Sequence, residues 1–145
     1  MLVTSKTKIV SPRLLNFIRA HSDHRITKEA YAYYAAGTNT CIITRLYNER
    51  GKIRAVSMSG IVDGEVKYSI TLTHREHRNR GYGTLVLQEK LKYIVDYYKY
   101  KYVALVASDN LPSLRVCEKA GLKKEAELIK QRCAGEFTVE VLVRE

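Results

Sequence analysis

The sequence predicts an α/β fold: a mixed, mostly antiparallel sheet with flanking helices, all in one domain spanning residues 1–145. Period-two segments such as Val66–Leu72 stand beside a stretch whose apolar Leu87, Leu91, Ile94 and Tyr98 recur at spacings of four, three and four. Turn signals at Asn48–Gly51, Asp63-Gly64 and Ala134-Gly135 join strands that are neighbours in sequence. One continuous apolar run, Tyr102–Ala107, follows the helical stretch, as expected of a strand buried on both faces. A chain of 145 residues is long enough for a single sizeable core.

In chain order, Leu2 to Val10 reads as a first strand. Ser11-Pro12 opens a helix, with serine as N-cap and proline at its first position, and Leu14, Leu15, Phe17 and Ile18 form its buried side. His21–His24 breaks that helix, and a second short one runs from Thr27 to just before Gly37. Thr40–Tyr47, Arg54–Val62 and Val66–Leu72 follow as strands, then a helix over Leu85–Tyr100 and the strand Tyr102–Ala107. A further helix starts near Leu111. Ala126–Arg132 and Phe137–Val143 close the chain as a hairpin. In its second arm Phe137, Val139, Val141 and Val143 form the face expected to be buried, alternating with Thr138, Glu140 and Leu142.

Composition narrows the class. Hydrophobic content of 46% and charged content of 28% are ordinary for a globular protein in water. No apolar run reaches the length of a membrane span, and Met1–Lys6 has no signal-peptide core, so no membrane partner is expected. Cys41, Cys117 and Cys133 form no C-x-x-C pair, which argues for a reducing, cytoplasmic setting. The formal net charge of +10 is unusual and suggests an acidic partner.

The stretch Leu72–Thr84 is a strand-to-helix turn with Gly81, Gly83 and the cations Arg75, Arg78 and Arg80. Glycines let backbone N–H groups approach a ligand, and a helix N-terminus adds unpaired donors and a positive dipole end. Such a turn suits a phosphate. A dinucleotide fingerprint fails because Val86 stands where its third glycine belongs, and no lysine completes a Walker-type loop. What remains, Arg78-x-x-Gly81-x-Gly83, resembles the R/Q-x-x-G-x-G/A signature of the GNAT superfamily of N-acetyltransferases. A second GNAT-like signature follows, with Asn110, Ser113, Glu118, Lys119, Gly121 and Leu122 at the family's spacings. The resemblance covers roughly Ile53 to Leu122.

That resemblance implies an acetyl-CoA-dependent N-acetyltransferase with a GNAT-like sheet, acting on a primary amine. Leu72 and Thr73 would pair with the pantetheine like a short added strand. The N–H groups of Arg78, Asn79, Arg80, Gly81, Tyr82, Gly83 and Thr84 would hold the pyrophosphate. Asn110, with Ser113 after it, would face the pantetheine arm or cap the following helix. In GNAT-like folds the segment between the first two strands covers the acceptor, so Tyr31, Tyr33 and Tyr34 would line it; core packing with one exposed ring is the other reading.

Many relatives carry a tyrosine at the Cys117 position, whose hydroxyl protonates the departing CoA thiolate. A thiol can do the same work, although a buried cysteine is as often packing. Lys67 occupies the place of the carboxylate base of some relatives, with Asp63, Glu65, His74 and Glu76 as alternatives. The spacings His21/His24 and His74/His77 are not completed to a metal set, and no metal is expected. The excess positive charge, against the scattered Asp23, Glu29, Asp63 and Glu65, favours an amine on an anionic scaffold such as tRNA. Two other readings stay open: a GNAT-shaped protein that binds CoA without turnover, and a basic nucleic-acid-binding module. A homodimer is compatible with the sequence.

Overall fold

The computed structural model describes every residue except Asp23, Cys133, Ala134 and Glu145; for 24–27, 67, 129–132, 135–137 and 139 it describes the backbone alone. The elements are β1 (Leu2–Thr7), α1 (Pro12–His21), α2 (His24–Ala35), β2 (Thr40–Tyr47), β3 (Ile53–Val62), β4 (Glu65–Thr73), α3 (Tyr82–Leu91), β5 (Val103–Ala107), α4 (Leu111–Lys119), β6 (Lys123–Arg132) and β7 (Gly135–Val143). A single 3-10 turn, Arg75–His77, precedes α3, and a π-helical turn, Lys92–Tyr97, extends it. The expected α/β fold is present.

Strands β1-β2-β3-β4 form one antiparallel sheet and β5-β7-β6 another. The two meet where β4 and β5 begin. There Glu65 bridges Lys101 in parallel, Val66 N–H donates to the Lys101 carbonyl at 3.3 Å, and Lys101 N–H donates to the Gly64 carbonyl at 3.3 Å. Among the described residues nothing pairs β4 with β5 beyond this point, so the strands part. A register shift helps. Gly60 pairs with Tyr68 and Ile61 with Val66, so Lys67 is an extra residue, a bulge that bends β4.

Helices α1 and α2 cover one face of the four-stranded sheet, burying Leu14, Phe17, Ile18, Ala30 and Tyr34 against Val56, Met58, Ile70 and Leu72. On the other side Leu87, Leu91 and Ile94 join Ile42, Tyr102, Val106, Cys117 and Leu142. Ser11 caps α1 by accepting from Leu14 N–H at 3.2 Å, with Pro12 in the first turn. Asp63 at φ 51° and Gly64 at φ 76° make the primed turn between β3 and β4.

Four expectations need correction. Helix α2 starts at His24, not Thr27, because Ser22 turns extended and ends α1 with little chain to spare. Helix α3 starts at Tyr82 and widens into a π-helical turn; Tyr98 N–H reaches the Tyr93 carbonyl at 2.9 Å, five residues back. Strand β5 is covered on one face only: Ala104 and Val106 are 8% exposed but Leu105 is 51% exposed, since α3 and α4 lie on one side. In β7 the phase is the reverse of that expected. Leu142 is buried opposite Ala104, while Val141 and Val143 are half-buried; the Phe137 and Val139 side chains lie outside the described residues.

Tyr33 stacks on Tyr68 at 4.7 Å between ring centroids and lies over Gly60, where a Cβ would come within 1.9 Å of its hydroxyl oxygen. Gly60→Ala should therefore lower stability by about 1–3 kcal/mol. In a Tyr33→Ala background most of that loss should vanish, which a double-mutant cycle by thermal denaturation measures.

Candidate active site

The parted ends of β4 and β5 define a mouth, and the glycine turn stands in it. Leu72 is buried and Thr73 half-buried at the end of β4. Their backbone pairs with β3 on one side, Leu72 with Val56 and Thr73 with Ala55, leaving the outer edge of β4 free of strand partners among the described residues. Asn79 at φ 64° and Gly81 at φ 81° are left-handed, which reverses the chain between the end of β4 and the start of α3. Gly81 has no side chain to cap α3, and a Cβ there would meet nothing within 4 Å. The first N–H groups of α3 thus follow a residue that neither caps them nor crowds them with a side chain. That is the donor set and clearance a pyrophosphate needs.

Gly83 serves a second purpose. A Cβ on it would lie 3.4 Å from Thr73 Oγ1, 3.7 Å from Val116 and 3.8 Å from Thr71, so glycine lets α3 sit close to both β4 and α4. Tyr82 turns its hydroxyl to Arg54 at 2.6 Å. Thr84 is half-buried in the first turn of α3. Arg78 does not reach into the mouth: its guanidinium donates to the His21 carbonyl at 2.8 Å and ties the turn to the end of α1. Arg75 ties it too, its N–H donating to His21 Nδ1 at 3.2 Å. Arg75, Arg78 and Arg80 are exposed and set a positive field over the turn.

His74 and His77 join His21 here, with ring centroids 4.1 Å apart for His21–His74 and 4.9 Å for His74–His77. Burial, then His74, Arg75 and Arg78, push the His21 pKa below its usual value; desolvation, His74 and Arg80 do the same for His77. Among the described residues, His74, Glu76 and His77 offer ligand atoms within 4.8 Å of one another. The arginines that lower these imidazoles also oppose a cation, so the field of the turn favours an anion.

Across the mouth, Asn110 caps α4, its side-chain oxygen accepting from Ser113 N–H at 3.4 Å. Cys117, 6% exposed, lies about two turns beyond that cap on the buried side of α4. Burial pushes its thiol pKa up and the nearby Lys90 pulls it back. The three tyrosines separate. Tyr34 is buried, its hydroxyl donating to the Tyr68 carbonyl at 3.4 Å; Tyr33 stacks on Tyr68 with its hydroxyl buried; Tyr31 lies against Arg19, 4.3 Å from guanidinium carbon to ring centroid. The Lys67 side chain and Asp23 lie outside the described residues.

The GNAT acetyltransferase domain model matches residues 7–123. The chain belongs to the GNAT acetyltransferase family. Members use acetyl-CoA as acetyl donor, and this GNAT protein is an N-acetyltransferase. Its fold matches a mutant spermidine N-acetyltransferase from Vibrio cholerae, at 13% identity and TM-score 0.72 over 99% of this chain and 94% of that one. It also matches the ribosomal-protein-S18-alanine N-acetyltransferase of Escherichia coli, at 11% identity and TM-score 0.70 over 99% and 93%. NAA60 of Arabidopsis thaliana, solved with a bisubstrate analogue, matches at 13% and 0.69 over 99% and 97%. At these identities the likeness concerns the fold. No curated protein matches the sequence at the same stringency. No helix among the described residues is long and apolar enough to cross a membrane.

The residue that sequence reasoning missed is Lys90. The stripe Leu87, Leu91, Ile94 already placed it on the buried side of α3, and in the fold it is 0% exposed. Its Nζ donates to the Met58 carbonyl at 3.3 Å and lies 5.3 Å from the Tyr102 ring centroid; among the described residues no carboxylate pairs with it. Desolvation lowers its pKa from the ordinary 10.5 to about 7. The folded state therefore resists the proton that the unfolded chain accepts, and Lys90 weakens the fold increasingly as pH falls from 10.5 toward 7. Lys90→Met should raise stability by about 1–4 kcal/mol near neutrality. Denaturant titrations should show that gain largest below pH 7 and shrinking as pH approaches 10.5.

Proposed function

We propose that this GNAT enzyme acetylates a primary amine carried on an anionic scaffold such as tRNA, with the glycine turn holding the donor and Cys117 protonating the departing thiolate. The open N-terminus of α3 at Gly81, standing in the mouth between β4 and β5, carries the donor assignment. Backbone N–H groups from Arg78 through Asn79, Arg80, Gly81, Tyr82, Gly83 and Thr84 would take the pyrophosphate. The free edge at Leu72 and Thr73 would take the pantetheine amides, with Asn110 and Ser113 across from them. Acetyl-CoA supplies an activated acetyl group and a thiolate that must leave. Cys117 provides a proton from the buried side of α4, where water does not compete. Helix α2 flanks the acceptor side, Tyr31 and Tyr33 lining it and Tyr34 supporting them from the core.

Two arrangements support the anionic scaffold. The formal charge is +10, and exposed Arg75, Arg78 and Arg80 ring the turn. Of the acidic candidates, Asp63 and Glu65 lie at the closed end, one strand away from the mouth, roughly 26 Å at 3.3 Å per residue. A free polycation would meet repulsion there.

Gly81→Glu should abolish acetyl-CoA binding by calorimetry while circular dichroism stays unchanged, because a carboxylate would occupy the anion position; retained affinity refutes the site. For the acceptor, kcat/KM should fall steeply between low and physiological salt while acetyl-CoA hydrolysis changes little. A small free amine turned over best and indifferently to salt would refute the scaffold.

A further inference from the structure

We propose that the tyrosines and lysines around the π-helical turn form a docking surface for an unpaired stretch of RNA. This deepens the scaffold reading given above and rests on it for the link to acetyl transfer. The sequence there interleaves rings and cations, Tyr97-Tyr98-Lys99-Tyr100-Lys101. Such interleaving offers flat faces for bases and point charges for phosphates together.

The fold holds this run rigidly. Tyr98 N–H donates to the Tyr93 carbonyl at 2.9 Å and Tyr100 N–H to the Ile94 carbonyl at 2.8 Å, which fixes the backbone on either side of Lys99. Tyr98 and Tyr100 are parallel within 9° with ring centroids 5.5 Å apart, and Tyr97 stands at 90° to Tyr98 at 4.9 Å. Tyr93 adds a fourth ring, 6.1 Å from Tyr97. Lys6 reaches over from β1, its Nζ donating to the Tyr100 hydroxyl at 3.0 Å and lying 4.7 Å from the Tyr98 centroid. Rings already held in place lose little freedom when a ligand binds.

Two features of the cluster have no packing reason. Tyr97 is 71% exposed, so most of its ring lies in water. Lys99 is left-handed at φ 61° just past the end of the π-helical turn, where glycine would carry no Cβ penalty. Charge complementarity names the occupant. Lys6 touches the rings, and Lys92, Lys99 and Lys101 are carried by the turn and the residues after it; all four are exposed. Of the nearby carboxylates, Asp96 pairs with Arg144 at 3.7 Å, and Asp63 and Glu65 belong to the adjoining hairpin. Position argues for a polymer. A Cβ on Gly64 would lie 3.8 Å from the Tyr100 ring, and Lys101 pairs with Glu65, so the cluster stands at the closed end. The mouth is one strand away, roughly 26 Å at 3.3 Å per residue. A small acceptor cannot touch both places. An RNA can, with its amine at the mouth and unpaired bases on the tyrosines.

Fluorescence anisotropy of the full chain with a short labelled oligouridylate reads the surface without any turnover. Tyr97→Ala should weaken binding about tenfold, while Tyr97→Phe keeps it within about twofold. Lys99→Gly should weaken it too and lower the slope of log affinity against log salt by roughly 0.7, the share of one phosphate contact on a single strand. Glycine suits the left-handed position, so that variant keeps its fold, and acetyl-CoA affinity should be unchanged in all three. No binding by the wild-type protein, or affinity unchanged in both Tyr97→Ala and Lys99→Gly, overturns the surface. Equal affinity for polyglutamate, which offers charge without bases, overturns it as well. Tighter binding to phosphatidylserine vesicles than to the oligonucleotide overturns it in favour of a membrane surface. If the variants lose RNA but the best acceptor is a small free amine indifferent to salt, the surface stands and the scaffold reading alone fails.

Discussion

Two parallel strands that are bonded where they start and separate afterwards organise this protein. Hydrogen bonds between Gly64, Val66 and Lys101 pin β4 to β5 at one end, and the bulge at Lys67 turns β4 aside. A strand edge left unpaired is normally a liability, since its amides and carbonyls want partners. Here the edge at Leu72 and Thr73 opens on the mouth where the α3 and α4 N-termini stand. Among the described residues that edge is left without a strand partner, and family membership names acetyl-CoA as the donor.

Helix α3 connects this mouth to the interior. Its first turn is free of side-chain caps because Gly81 precedes it, and Gly83 lets it approach β4 and α4 closely. Further along, it crosses a sheet face that is unusually polar for a core. Thr4, Thr44, Ser57 and Thr71 pair in register across all four strands, with hydroxyl bonds of 2.8 Å for Thr4–Thr44 and 2.7 Å for Ser57–Thr71. Satisfied hydroxyls cost little to bury, and they lie under α3, which buries Lys90.

The parts of the fold that were legible in the sequence were those set by local chemistry. Ser11-Pro12 capped α1 and Asp63-Gly64 turned β3 into β4 because caps and primed turns depend on a few adjacent residues. The glycine turn was legible for the same reason: left-handed backbone and an uncapped helix start are properties of the segment. The strand phases in the second sheet were not. Alternation in Phe137–Val143 cannot say which of two apolar-looking faces meets the helices, and pairing of Leu142 with Ala104 decided it.

Sequence alone determined the family signature, the order of elements and the site's backbone, since spacing, glycine and capping act within a few residues. Only tertiary structure decided what surrounds each side chain. His21 reaches the glycine turn from α1, more than fifty positions away in the chain, and Arg78 is spent on holding it there. The three tyrosines of α2 divide between core, stack and surface according to what β4 and α1 place opposite them. Lys90 comes to lie against the Met58 carbonyl and the Tyr102 ring because α3 packs across the sheets. Charge in a sequence carries no label for its dielectric; burial assigns it, and burial exists only once the chain has folded.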